Sequence, residues 1–148
     1  MSGKQSKHEG GCLCGAVRFE VEGPPLLQGM CYCRACQRVS GGAPSLLAAY
    51  PAEALTLTEG APKVFETKGD SGAVVRRAFC GACGTSLYSW SEGRPHVRSV
   101  KVGVLDDSAA FDPQLAIWTS AKQPWHEPPA EVAQYDAAPP ASKVAKQS

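Results

Sequence analysis

Seven cysteines stand in this chain as a pair, a trio and a pair: Cys12 and Cys14, then Cys31, Cys33 and Cys36, then Cys80 and Cys83. Four thiolates close a tetrahedral zinc shell, which is a structural arrangement, whereas three protein ligands leave a position open, as in catalytic zinc sites. The spacing therefore predicts one zinc on Cys12, Cys14, Cys80 and Cys83 that holds the fold. It predicts a second on Cys31, Cys33 and Cys36 that is placed to do chemistry, for a total of two zinc ions per chain.

The second pair lies in Cys80-Gly81-Ala82-Cys83-Gly84, a knuckle whose glycines permit a tight turn with backbone amides aimed at sulfur. A redox Cys-x-x-Cys instead sits at a helix N-terminus within a βαβ unit, and here the pair lies between strand-like runs. The trio falls within six residues, so one metal can be bound without long-range folding. Its fourth ligand is open. His8 lies near the N-terminus, and His96 and His126 are distant in sequence. Water, a substrate thiolate or a carbonyl oxygen would fill the position, and zinc there would activate a thiol or polarise a carbonyl. A second structural zinc closed by a distant residue, or a metal-free redox trio, remains an alternative at this point.

The elements that must position these cysteines read mostly as short strands. Val17, Phe19 and Val21 alternate with Arg18 and Glu20, the period of a half-buried strand. Further strands are expected at 45–50, 55–58, 64–67, 74–79, 85–90, 97–104 and 115–119. They are punctuated by Gly23-Pro24-Pro25, Gly41-Gly42, Gly60-Ala61-Pro62 and Gly93-Arg94-Pro95. One short helix is expected near Arg34–Val39. The pattern predicts an all-β sandwich, barrel or folded sheet.

The chain has 148 residues, enough for one domain with its own core, and a net charge of +1. No basic stripe marks a nucleic-acid footprint, and no apolar run approaches the length of a membrane span. A polar start without an apolar segment predicts a cytoplasmic, reducing setting, where clustered cysteines bind metal more often than they form disulfides. The expected organisation is a poorly ordered tail over 1–9, a zinc-binding domain over 10–127, and a Pro- and Lys-containing tail over 128–148.

At these residues the chain resembles the glutathione-dependent formaldehyde-activating enzyme family. Gly11-Cys12-Leu13-Cys14-Gly15-Ala16-Val17-Arg18-Phe19 is similar to its opening strand, and Arg34-Ala35-Cys36-Gln37-Arg38-Val39-Ser40-Gly41 to its metal loop. Val102-Gly103-Val104-Leu105-Asp106-Asp107 and Trp118-Thr119-Ser120-Ala121-Lys122-Gln123-Pro124-Trp125 are similar to its C-terminal marks. The resemblance implies a β-tent of coiled antiparallel sheets, a structural zinc on the four cysteines and a catalytic zinc on the three. It also implies a carbon–sulfur lyase that joins glutathione and formaldehyde into S-hydroxymethylglutathione. The partners would be a small thiol and a small aldehyde, with neither nucleic acid nor membrane. The alternative is a non-catalytic protein-interaction module with two structural zincs.

Glutathione carries two carboxylates, which call for Arg or Lys. The candidates are Arg34, Arg38, Arg77, Arg94 and Lys122, of which Arg34, Arg38 and Lys122 are the nearest, and Trp118 and Trp125 are expected in the core, with a place in the pocket wall as the alternative. Chain continuity with Cys36 puts Gln37–Gly42, including Ser40, beside the metal loop. The resemblance adds the segment Ser120–Trp125 as the second wall.

Overall fold

The computed structural model describes residues 6–69 and 71–139. The fold is mainly β, in two open sheets. The smaller sheet contains β1 (Lys7–Gly11), β2 (Arg18–Glu22) and β5 (Leu55–Glu59), in the order β1-β2-β5. The larger contains β3 (Leu27–Cys31), β4 (Ser45–Pro51), β6 (Lys63–Lys68), β7 (Val74–Phe79), β8 (Ser86–Ser91), β9 (Arg94–Lys101), β10 (Leu115–Ile117) and β11 (Ala133–Gln134). Its order is β11-β10-β3-β4-β9-β8-β7-β6. Among the described residues the one α-helix is α1 (Arg34–Val39), joined by short 3-10 turns at Ala52–Ala54, Val102–Val104 and Thr119–Ala121.

The core lies where the two sheets face each other. Phe19 and Val21 of β2 are essentially inaccessible and pack with Ala48, Tyr50, Ala78, Leu87 and Val100 of the larger sheet. Alternation along each strand then sends the intervening residues to the opposite face. On β4, Ala48 and Tyr50 point to the core, while Ser45, Leu47 and Ala49 lie on the far face. Register extends that far face across the sheet: Cys31 pairs with Ser45, Leu47 with Lys101, Ala49 with Ser99, and Ser89 with both Ser99 and Arg77. Two cysteine neighbourhoods are thereby separated. Cys12 and Cys80 join the core cluster, and Cys31 lies on the far face of the larger sheet.

Three expectations change. Strand pairing starts at Lys7, with Lys7 opposite Glu22, so residues 7–9 belong to the fold rather than to a tail. Residues 1–5 lie outside the described residues. At the other end the boundary near 127 falls too early: β11 pairs with β10, and Val132 is buried against Tyr32 and Ala116. Residues 140–148 lie outside the described residues. Finally, the larger sheet is mixed. β10 runs parallel to both β3 and β11, while the other pairs are antiparallel. Gly29 makes the β3–β10 approach possible, since a Cβ there would sit 2.9 Å from Cδ1 of Leu115.

Candidate metal centres

The sulfurs of Cys12, Cys14, Cys80 and Cys83 all lie within 4.8 Å of one another. Cys12 directly follows β1, and its amide donates to the carbonyl of Val17 as the chain turns into β2. Cys80 directly follows β7, and a tight turn brings the amide of Gly84 back to its carbonyl at 2.8 Å. Gly84 has φ +82, a left-handed conformation that glycine adopts without strain. The donor set fits zinc. Zn–S bonds of 2.3 Å in a tetrahedron require sulfur–sulfur edges of about 3.8 Å, and Cys12–Cys14 and Cys14–Cys80 measure 3.7 Å and 3.8 Å.

Surrounding donors favour thiolates. The amide of Val17 points at Cys12 sulfur at 3.3 Å and that of Ala82 at Cys80 sulfur at 3.4 Å. The Thr85 hydroxyl lies 3.1 Å from Cys83 sulfur, and this hydroxyl followed by the Thr85 amide pulls the Cys83 thiol down to about 5. The Val17 amide likewise lowers Cys12. The Ala16 amide acts the same way on Cys14, but the adjoining Cys12 and Cys83 thiols outweigh it and hold Cys14 up at about 11.

Cys31, Cys33 and Cys36 form the second cluster, again with all sulfurs within 4.8 Å. Local structure assembles it. Cys31 ends β3, Cys33 is the N-cap of α1, and Cys36 lies one turn on, its amide donating to Cys33 sulfur at 3.3 Å. Hydrogen bonds from Cys31 and then Cys33 draw the Cys36 thiol down to about 2, with further help from Ser45 and the Lys101 charge. The same contacts, first with Cys33 and then Cys36, push Cys31 up, and burial adds to this. The donor set, three sulfurs converging at metal-binding separation, fits a three-ligand zinc. All seven cysteines are unbridged.

No histidine joins either cluster among the described residues. His126 is buried, and both its ring nitrogens are engaged. Nδ1 accepts the Gln123 amide at 2.8 Å, so Nε2 carries the proton donated to the Gly42 carbonyl at 2.7 Å. It pins the Gly41-Gly42 turn to the segment after β10, with its ring edge-on to Tyr32. His8 lines a separate cavity beside Tyr50 and Phe111, and His96 is exposed on β9.

The residues expected to hold substrate divide. Gln37 is buried and used up internally, so it positions the loop rather than meeting a ligand. Its Nε2 donates to the carbonyls of Tyr32 at 2.7 Å and Ala121 at 3.0 Å. Its Oε1 accepts from Arg34 and from Gln123. These bonds join the metal loop to the 120–123 segment. Arg38 shares an open depression with Arg34, Gly41 and Gly42. Ser40 lies 3.3 Å from Ser45 Oγ. Lys122 is exposed, and Trp125 is 73% exposed against His126.

Arg34, Arg77 and Trp118 instead come together with Cys33 and Lys68 around a pocket of about 540 Å³. Neither Lys122 nor Trp125 contributes to its lining. Trp118 has φ 57, the one positive φ outside glycine among the described residues, and backbone bonds from Ala137 and Tyr135 hold this segment. Arg94 is elsewhere, at an apolar cavity of about 130 Å³ that reaches Cys31. Sequence reasoning missed Lys68, Ser45 and Lys101. Lys101 sits between buried Val100 and Val102 and reads as the solvent-facing member of an alternating strand. That face is in fact the floor beneath the three cysteines.

Relatives bear on identity at this point. A Halomonas elongata protein, provisionally described as a glutathione-dependent formaldehyde-activating enzyme, is 25% identical over 130 residues, covering 80% of this chain and 79% of that protein. A crystal structure of a Rhodobacter sphaeroides protein superposes with a TM-score of 0.53 at 24% identity, covering 66% of this chain and 87% of that one, a likeness of fold. Residues 7–121 match the family model described as glutathione-dependent formaldehyde-activating enzyme, and the chain belongs to that family.

Proposed function

We propose that the protein is a zinc-dependent carbon–sulfur lyase that adds a small acidic thiol, glutathione or a close relative, to a small aldehyde such as formaldehyde. The observation that carries this reading is the pocket of about 540 Å³ that has Cys33 of the three-sulfur cluster in its wall and Arg34, Lys68 and Arg77 around it. Cys12, Cys14, Cys80 and Cys83 would hold a structural zinc. Cys31, Cys33 and Cys36 would hold a second with a position left for substrate. When bound there, zinc supplies Lewis acidity and keeps a thiol in its thiolate form.

The reaction forms one carbon–sulfur bond. The thiol proton ends on the former carbonyl oxygen, and nothing is oxidised or reduced. The protein's own groups bind and orient. Arg34, Lys68 and Arg77 are cations on the rim of a pocket with a sulfur cluster in its wall, which suits a ligand with a thiol at one end and carboxylates at the other. Trp118 walls the pocket with a large apolar surface that excludes water. Gln37 and His126 fix the loop that carries Cys36, so the cluster is built in advance of binding.

Titration of the zinc-loaded protein with glutathione tests this reading, with formaldehyde then added and the hydroxymethyl adduct followed by NMR. Saturable binding below millimolar and adduct formation above the uncatalysed rate are expected. No binding at millimolar concentration rejects glutathione. Two zinc ions that both resist mild chelators, with no adduct from any thiol, favour the interaction module.

A further inference from the structure

We propose that Lys101 is a positioning residue: the fixed counter-charge of the three-cysteine zinc site, held in place through Ser45, which sets how tightly that site keeps its metal. This rests on the reading that Cys31, Cys33 and Cys36 bind zinc.

Lys101 ends β9 and shares the far face of the larger sheet with Ser45 and Cys31, because Leu47 pairs with Lys101 and Ser45 with Cys31. Its ammonium donates to Ser45 Oγ at 2.6 Å. Ser45 is 1% exposed, and its Oγ lies 3.3 Å from that of Ser40. Lys101 occupies one of the two Ser45 lone pairs, and the hydroxyl keeps a proton it can donate.

A half-buried ammonium is unfavourable unless an anion faces it. The ion pairs among the described residues involve Lys7, Arg18 and Arg76, and none reaches Lys101. Arg77, on the same face, repels it. Ser45, which the ammonium grips, stands opposite Cys31 in register, so the three-sulfur cluster is the anion-forming group beside the lysine on this face; burial pulls the Lys101 pKa down, and those sulfurs oppose that pull. Three thiolates around one divalent zinc carry a net charge of −1, which a single ammonium neutralises. The lysine and the metal site thus answer each other: each removes the charge that makes the other costly to bury.

The test compares Lys101→Met, which keeps the length and removes the charge, with Lys101→Arg, which restores it. Both are made in the full-length, zinc-loaded protein, and release to a chelator is followed without substrate. The four-cysteine zinc serves as internal control. Lys101→Met should release the three-cysteine zinc roughly 10- to 100-fold faster, as for loss of a group behind a metal ligand. Lys101→Arg should stay near wild type, and the control zinc should be unchanged in both. In cobalt-substituted protein, Lys101→Met should also shift the thiolate-to-cobalt absorption. Equal release from wild type and Lys101→Met overturns the proposal.

A second background covers failure of Lys101→Met to fold. In a Cys33→Ser protein the lysine has lost part of its counter-charge, so adding Lys101→Met should raise the melting temperature. A fall there also overturns it. Normal zinc retention without adduct formation would reject the functional reading alone, and a wild-type trio that takes up no zinc would reject both.

Discussion

Cys83 and Cys33 have the same chemistry and different consequences, because of what each sulfur joins. Cys83 completes a cluster whose other members come from the turn after β1 and the end of β7, and two of them, Cys12 and Cys80, are part of the core. On the proposed reading, a structural zinc there would add on the order of 10 kcal/mol to folding. Cys83→Ser should therefore lose that metal and melt well below wild type, or fail to fold. Cys33 belongs to a cluster formed within one β3–α1 segment, on the face away from the core. Cys33→Ser should melt within a few degrees of wild type while losing adduct formation at least 100-fold. Zinc analysis and thermal melting of the two purified variants check both outcomes, and equal stability loss would mean that the trio is structural too. The division of the seven cysteines into a four and a three was legible in the sequence, because the two pairs and the trio are each short local patterns. The place of Gln37 was not: its partners Ala121 and Gln123 are brought to it only by tertiary folding.

At the scale of elements, the apolar, β-branched or aromatic runs bounded by glycine and proline were readable as strands, and the short or glycine-containing ones were not. Expectation and structure agree on β7 and α1 and differ by a residue or so at β4 and β6. β3 was hidden by Gly29 at its centre, β1 by a polar, glycine-ended sequence, and β11 by its two-residue length. β11 has a measurable role. Tyr135 donates to Ala116, Trp118 to Ala137 and Thr119 to Tyr135, so this segment holds the backbone of the strained Trp118 turn. Chain termination after Ala130 removes those bonds, each worth about 1 kcal/mol net, and uncovers Tyr32. A loss of about 2–4 kcal/mol and a fall of roughly 5–15 °C in melting temperature should follow, and an unchanged melt would show that the segment is not docked in solution. A second contact ties the smaller sheet to the segment after the Val102–Val104 turn, where Leu105 bridges to Gly10. Arg18 of β2 grips both oxygens of Asp106, at 3.2 Å and 2.6 Å, which holds that carboxyl below its usual range. A depressed folded-state pKa gives stability that is present above the unfolded value near 3.9 and is lost as pH falls through the folded value. Asp106→Asn should thus lower stability modestly at pH 7 and flatten its decline below about pH 4, read from urea melts across that range.

At the scale of the whole molecule, the two sheets give the two metal clusters separate surroundings. One is clasped at the edge of the shared core, and the other opens on the far face of the larger sheet, where β7 and β9 also present Arg77 and Lys101. No helix among the described residues is long and apolar enough to cross a membrane. On the proposed function, the far face decides which cations meet the substrate. Sequence favoured Arg34, Arg38 and Lys122 over Arg77 and Arg94, and the fold divides them differently, because only Arg34 and Arg77 of those five share a pocket with Cys33. Arg77 is steadied by Thr67 at 3.1 Å, across the β6–β7 pair. Cations that grip carboxylates remote from the reacting sulfur hold ground state and transition state alike, so their loss raises KM and leaves kcat nearly intact. Arg77→Gln should raise the KM for an acidic thiol roughly 5- to 50-fold, the loss of about 1–2.3 kcal/mol from one charge-assisted contact. Lys122→Gln should change it less than twofold. Steady-state kinetics with glutathione and with a neutral thiol of similar size provide the measurement, since the neutral thiol should barely distinguish wild type from Arg77→Gln. An equal effect of Arg77→Gln on both thiols would assign Arg77 to the shape of the pocket and remove it as a carboxylate anchor.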